Sequence, residues 1–121
     1  MTYSKMFVSL ASVTAVFVAA ACGGAALPVD KLTEAKSTVR AAQEAGAQGT
    51  PQAQLHLKMA NDQLASAQKA IDDNDGDRAR LLLNQAQADA DLALTLARGS
   101  AEQQAAQVAQ AKVVDLSKQA H

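Results

Sequence analysis

The sequence is poor in the residue types on which many binding sites depend. Aromatic residues make up 2% of the 121 residues, and all three of them (Tyr3, Phe7 and Phe17) lie near the beginning of the chain. The chain after Cys22 therefore has no Phe, Tyr or Trp ring on which a base or a cationic ligand could stack. Cys22 is the only cysteine, so a disulfide within the chain is excluded.

The charge is also small and evenly spread. The chain has 11 basic and 12 acidic residues, with a net charge of −1, and its basic residues form no block. A nucleic-acid partner would need a basic patch, so we expect none. What the chain does contain is alanine, leucine and glutamine, which favour α-helix.

The N-terminal segment has the features of an export signal. Lys5 supplies a positive charge, and an apolar run over residues 6–21 ends in Ala20-Ala21-Cys22-Gly23. Such a run is typical of a signal peptide and short for a membrane span of roughly 20 apolar residues. We predict that residues 1–21 are removed by cleavage between Ala21 and Cys22.

This segment resembles the lipobox of bacterial lipoproteins, with Ala19 at the position where leucine is commonest. The resemblance implies that Cys22 is lipidated and that the chain is held to a membrane, on the periplasmic face. Gly23 in place of an aspartate favours the outer membrane, and the inner membrane remains an alternative. A plain secretory cleavage site or an uncleaved anchor helix are the other interpretations of residues 1–21.

The remainder predicts helices separated by short breaks. Residues 22–29 form a lipidated tether, and a first helix follows with Asp30 as its N-cap. It ends at Gly46, where a C-cap glycine belongs. Thr50 as N-cap and Pro51 as the first helical residue then begin a second helix.

Apolar residues recur at alternating steps of three and four, so those of each helix share one face. The predicted seams are Leu32, Ala35, Val39 and Ala42; Ala53, Leu57, Ala60, Leu64, Ala67 and Ile71; and Ala79, Leu83, Ala86, Ala90, Ala93 and Ala97. Leu55 and Met59 are expected to broaden the second seam. Leu92, Leu94 and Leu96 alternate, so one of them should face solvent or another chain.

A third helix is expected from Asp77, with that residue as its cap, and Gly99-Ser100 as a break. Short connections favour antiparallel neighbours. We therefore predict an all-α fold, an antiparallel three-helix bundle over residues 30–98. Residues 99–121 form a helical or frayed C-terminal tail.

Several motifs in the bundle resemble those of one bacterial family. They are Ala42 and Ala45, the Thr50-Pro51 restart, and the Ala-x-x-Ala-Ile-x-x-Asn-Asp-Gly-Asp-x-x-Arg stretch from Ala67 to Arg80. They are similar to the Ala-rich lipoprotein domains called domain of unknown function 4398. Arg78 stands where that family commonly has an aromatic residue. The resemblance implies no assigned activity and no catalytic residue.

Candidate chemical sites are weak. If Gly76 is the sixth position of a calcium loop, the first and twelfth are Ile71 and Leu82, which cannot be ligands. We therefore interpret residues 72–77 as an acidic turn. His56 and His121 have no second ligand at metal spacing. Asp89 and Asp91 are two apart on a helix and do not face each other.

No catalytic, metal or cofactor-binding residue is predicted. Nucleophilic catalysis needs a nucleophile beside a positioned base, whereas the serines after Cys22 occupy helix surfaces or caps. We expect a non-enzymatic cell-envelope lipoprotein with a structural or protein-interaction role, through self-association or a helical partner. A periplasmic carrier or adaptor of a small apolar ligand is the alternative.

Overall fold

A computed structural model describes residues 26–120 of the chain. Three α-helices make up most of this part, namely α1 (Val29–Glu44), α2 (Pro51–Asp72) and α3 (Gly76–Gln119). A short 3₁₀ helix, Ala47–Gly49, lies between α1 and α2. The predicted all-α three-helix fold is confirmed for these residues.

The helices alternate in direction. Asp72 and Gly76 are joined by a three-residue turn, so α3 runs back along α2. Contacts from Lys31 to Asn84 and from Thr38 to Gln87 advance together along both helices, so α1 and α3 run in the same direction. Both other helices pack mainly against α3, which is the central element of the bundle.

The first and third helices each begin two residues earlier than the sequence suggested. Helix α1 starts at Val29 rather than after Asp30, because the Pro28 carbonyl already accepts the Leu32 N–H at 3.1 Å. Helix α3 starts at Gly76, and the Asp75 carboxylate, not that of Asp77, accepts the Arg78 N–H at 3.0 Å. Both expected caps lie in the first turn instead, where a carboxylate still favours the positive helix end.

The break between α1 and α2 follows the prediction. Gly46 has φ +87°, in the left-handed region that glycine adopts at low cost. Thr50 is extended and Pro51 is the first residue of α2. The Thr50 carbonyl accepts the Gln54 N–H at 2.8 Å, although its side chain makes no capping bond.

The buried face of each helix is the one that the alternating spacing predicts. The core contains Leu32, Ala35, Val39 and Ala42 of α1; Ala53, Leu57, Ala60, Leu64 and Ala67 of α2; and Ala79, Leu83, Ala86, Ala90, Ala93 and Ala97 of α3. Most of these alanines have no exposed surface, so the helix backbones approach closely. Ile71 is half-buried at the edge of the core.

The expectation that Leu55 and Met59 widen the seam of α2 is wrong. Their exposed fractions are 56% and 40%. The contact between α1 and α2 is the smallest of the three helix pairs, so this flank of α2 has no neighbour to cover it. An alanine seam gives a narrow interface, and residues beside it stay in solvent.

No break occurs at Gly99-Ser100, since α3 continues without interruption to Gln119. A glycine inside a helix costs about 1 kcal/mol relative to alanine, which good helix formers on either side can offset. A helix that is already nucleated needs only to propagate. The predicted C-terminal tail is therefore the helical continuation of α3.

Candidate functional site

The predicted lipidation and cleavage sites are not among the residues that the structure describes. Cys22 and the cleavage site at Ala21 lie outside the described residues, and so does His121. Lipidation of Cys22 remains a prediction from the sequence. Within residues 26–120, no helix is both long and apolar enough to cross a membrane.

The acidic turn between α2 and α3 uses its carboxylates locally. Asp73 pairs with Lys69 at 3.2 Å, and Asp75 caps α3. Asn74 takes a left-handed conformation with φ 59°, which asparagine tolerates in tight turns. Among the described residues, no three His, Cys, Asp or Glu side chains are grouped closely enough to hold a metal ion.

A polar cluster joins α2 to α3 beside the apolar seam. His56 Nδ1 lies 2.8 Å from Asp89 Oδ1, and Gln63 Nε2 donates to Asp89 Oδ2 at 2.9 Å. The side chains of His56 and Asp89 are 26% and 16% exposed, so the contact is partly shielded from water. Each oxygen of the Asp89 carboxylate thus has a partner on α2.

Sequence reasoning missed this cluster. Asp89 was considered only beside Asp91, and His56 only as a metal ligand or an edge residue. The two are 33 positions apart, and their contact depends on the register of two antiparallel helices. A signal was present, since each directly precedes a seam residue, Leu57 and Ala90 respectively. Asp91 does point elsewhere, and it accepts from Gln87 of its own helix at 3.2 Å.

A second set of polar contacts joins α1 to α3. Lys31 Nζ donates to Asn84 Oδ1 at 3.1 Å, and Gln87 Nε2 donates to Thr38 Oγ1 at 2.9 Å. Arg80 reaches the Ala26 carbonyl at 3.4 Å, near the start of the described chain. These contacts keep the N-terminal end of α1 beside the first turns of α3.

Two serine hydroxyls bond to their own helices. Ser66 donates to the Asp62 carbonyl at 3.0 Å, and Ser117 donates to the Val114 carbonyl at 2.7 Å. Neither hydroxyl contacts the His56–Asp89 pair. The polar cluster is thus arranged to join two helices.

The C-terminal part of α3 is exposed to solvent along its whole length. We call it the C-terminal extension (Ala101–Gln119). Every residue of this stretch is exposed. Four large apolar side chains have high exposed fractions: Val108 69%, Val113 65%, Val114 47% and Leu116 55%. An isolated helix of this length is only marginally stable in water, so the extension relies on its continuity with the bundle.

Upstream, the outer side of α3 adds to this surface. Leu92 is 42% exposed, whereas Leu94 and Leu96 are half-buried against the core. The expectation that one of these three leucines faces solvent is therefore confirmed, with Leu92 as that residue. Leu81, about three turns earlier, is 59% exposed.

Residues of the extension line a depression, and this depression is open rather than an enclosed cavity. That depression, of about 510 Å³, is lined by Gln107, Gln110, Ala111, Val114, Asp115 and Lys118. All six belong to one helix, so the depression is the open flank of that helix. It is an open surface and not an enclosed pocket.

Geometry therefore defines an alanine-seamed three-helix bundle whose last helix projects beyond its neighbours. The chain belongs to the family described as domain of unknown function (DUF4398), whose model matches residues 30–112. That match covers the bundle and the first part of the C-terminal extension. No curated protein and no solved structure matches the chain.

Proposed function

We propose that this protein is a cell-envelope lipoprotein with a non-catalytic, structural or protein-interaction role, held to the outer membrane by lipid on Cys22. The observation that carries the interaction role is the C-terminal extension, a helix exposed on all sides from Ala101 to Gln119. Exposed apolar side chains in such number mark a surface that another protein covers.

The arrangement of polar groups supports a structural role. The carboxylate of Asp89 is occupied by His56 and Gln63, and the neighbouring contacts of Thr38 and Lys31 also join helices. Each of these groups is used to hold one helix against another. This is what a scaffold that presents a surface requires.

The anchoring part rests on the sequence before α1. The apolar run of residues 6–21 ends at Cys22, and α1 begins at Val29. A lipid chain contributes about 0.8 kcal/mol per buried CH₂, and one chain alone binds only marginally. Two or more chains on Cys22 make release from the membrane slow.

Fractionation of the full chain expressed in a Gram-negative bacterium tests the anchor. The parent should sediment with membranes, and Cys22→Ser should not. Intact mass spectrometry should give the mass of residues 22–121 plus acyl chains. Sedimentation of Cys22→Ser with membranes like the parent would refute the anchor.

A second pair of variants tests the choice of membrane. Gly23→Asp places an acid after the lipidated residue and should move the protein to the inner-membrane fraction of a density gradient. Gly23→Ser is the matched control and should stay in the outer-membrane fraction. Identical distributions of the two variants would contradict outer-membrane sorting through this position.

A further inference from the structure

We propose that the outer face of α3 binds a second copy of this chain, with the two α3 helices antiparallel. This inference rests on the proposed interaction role and names its partner. The face is formed by a second series of residues at alternating steps of four and three. Within the bundle, each of them lies two positions after a residue of the buried seam, which is about 200° around the helix axis. We call this face the outer seam, and its members are Leu81, Gln85, Ala88, Leu92, Thr95, Gly99, Glu102, Ala106, Ala109, Val113, Leu116 and Ala120.

The outer seam is free along its whole length. The exposed fractions of Leu81, Leu92, Val113 and Leu116 are 59%, 42%, 65% and 55%. Helices α1 and α2 cover the opposite side of α3, so a partner on the outer seam would not collide with them. On a straight helix this series turns by about 20° per heptad, or roughly 100° from Leu81 to Leu116, so the two α3 helices meet along all of it by wrapping around each other as a left-handed coiled coil.

An antiparallel pairing about an axis midway between Gly99 and Glu102 places three of the four large seam residues against alanine, and Leu116 against the partner's Gln85. In this register Leu92 faces the partner's Ala109, Val113 faces the partner's Ala88, and Leu81 faces the partner's Ala120. Pairs of one large and one small side chain fill the space between two helices evenly. A two-fold axis makes each of these contacts occur twice.

The charges beside the seam fit the same register. Asp91 lies two positions from the partner's Lys112, within reach of its long side chain, and Glu102 lies beside the partner's Arg98. A Cβ added to Gly99 would meet no atom within 4 Å, so there is room at this position for the partner's Glu102. In a parallel pair each Glu102 would instead face its own copy in the seam, which is unfavourable.

The size of the surface is sufficient for a specific dimer. From Leu81 to Ala120 the seam is about 60 Å long at 1.5 Å per residue. A strip roughly 10 Å wide on each copy comes to roughly 1,200 Å² in total, which is the lower bound for specific interfaces. The C-terminal extension supplies half of each strip, so a chain without it could not form this pair.

The arrangement is compatible with an anchor on both copies. Because Arg80 contacts Ala26, each tether leaves near the beginning of its own α3. The antiparallel pair therefore has a tether at each end. With Ala26 held beside Arg80, residues 23–25 can span at most about 10 Å, so both tethers reach one membrane when the pair lies along its surface.

Disulfide trapping tests the register directly. In the full chain with Cys22→Ser, which removes the only thiol, Leu92→Cys and Ala109→Cys are introduced singly and together and oxidised in detergent. The double variant should double its apparent mass on a non-reducing gel, and neither single variant should. The two positions are about 26 Å apart within one helix, so they cannot bond to each other in one copy.

Two other outcomes would overturn the proposal. A dimer from Leu92→Cys alone would show a parallel pair, and no dimer from the double variant would show that the outer seams do not meet. Because the assay uses a chain that cannot be lipidated, it is independent of the anchor. A membrane-bound protein with no cross-link would leave the anchor standing and refute the dimer.

Sedimentation of the detergent-solubilised full chain gives a second measurement. Val113→Glu puts a charge in the outer seam and should convert the dimer to a monomer. Val108→Glu is the matched control, because Val108 is equally exposed on the same extension but lies off the seam, and it should remain a dimer. A monomeric parent, or equal effects of both variants, would refute the proposal.

Discussion

His56 and Asp89 join α2 to α3 by a contact of 2.8 Å between Nδ1 and Oδ1 at the margin of an otherwise apolar interface. Gln63 occupies the other carboxylate oxygen. An alanine seam is smooth and offers little to distinguish one register from the next. A directional contact beside it selects a single alignment of the two helices.

Removal of this carboxylate should destabilise the bundle. Asp89→Ala leaves the half-buried His56 and Gln63 without their partner, at an expected cost of about 1–2 kcal/mol in the free energy of unfolding. Asp62→Ala is the control, and it should change that free energy by less than about 0.5 kcal/mol because Asp62 is exposed and pairs with Lys58 of its own helix. Urea denaturation followed by circular dichroism measures both, and equal effects would contradict a role for the cluster.

Enlargement of a seam alanine should also destabilise the fold. Ala60 has no exposed surface, so Ala60→Leu must push α2 away from its neighbours, at about 1–3 kcal/mol. Ala65→Leu adds the same atoms on the exposed side of α2 and should have little effect. Thermal unfolding of the two variants compares them, and similar melting temperatures would argue against close helix approach.

Two glycines should respond to alanine with opposite signs. Neither Gly46 nor Gly99 has an atom within 4 Å of an added Cβ, so only the backbone conformation decides the outcome. Gly46→Ala forces alanine to φ +87° and should cost about 1 kcal/mol. Gly99→Ala lies inside a helix and, in the monomeric Val113→Glu background where no partner packs on it, should stabilise by up to about 1 kcal/mol. Changes of the same sign in denaturation would contradict the assigned conformations.

Deletion of residues 101–121 should abolish self-association and leave the bundle folded. The deleted residues that the structure describes are all exposed, so the bundle should still unfold cooperatively. If two copies associate, the melting temperature of the parent rises with protein concentration, by mass action. The truncated chain should lose that dependence. A melting temperature of the parent that is constant over a hundredfold range of concentration would count against association.

Local patterns account for much of the fold. The predicted seams of α1 and α3 are buried residue by residue, and that of α2 up to Ala67, after which Ala70 is buried and Ile71 only half-buried. This accuracy arises because 3.6 residues per turn decides which positions share a face. Gly46 and Thr50-Pro51 likewise act through their own backbone preferences. Cap positions were predicted less accurately, since the carboxylates of neighbouring acids such as Asp75 and Asp77 can each accept a free N–H group at the start of a helix. Lipidation of Cys22 remains a prediction.

The helical class, nearly all residues of each seam and the place of the first turn follow from the amino-acid sequence alone, since they depend on interactions between residues close in the chain. Tertiary packing brings His56 to Asp89, leaves Leu55 and Met59 exposed, and lets α3 continue past its neighbours without a break. These outcomes depend on the alignment and the relative lengths of packed helices. Such alignment is a property of contacts between distant residues, which no local pattern encodes.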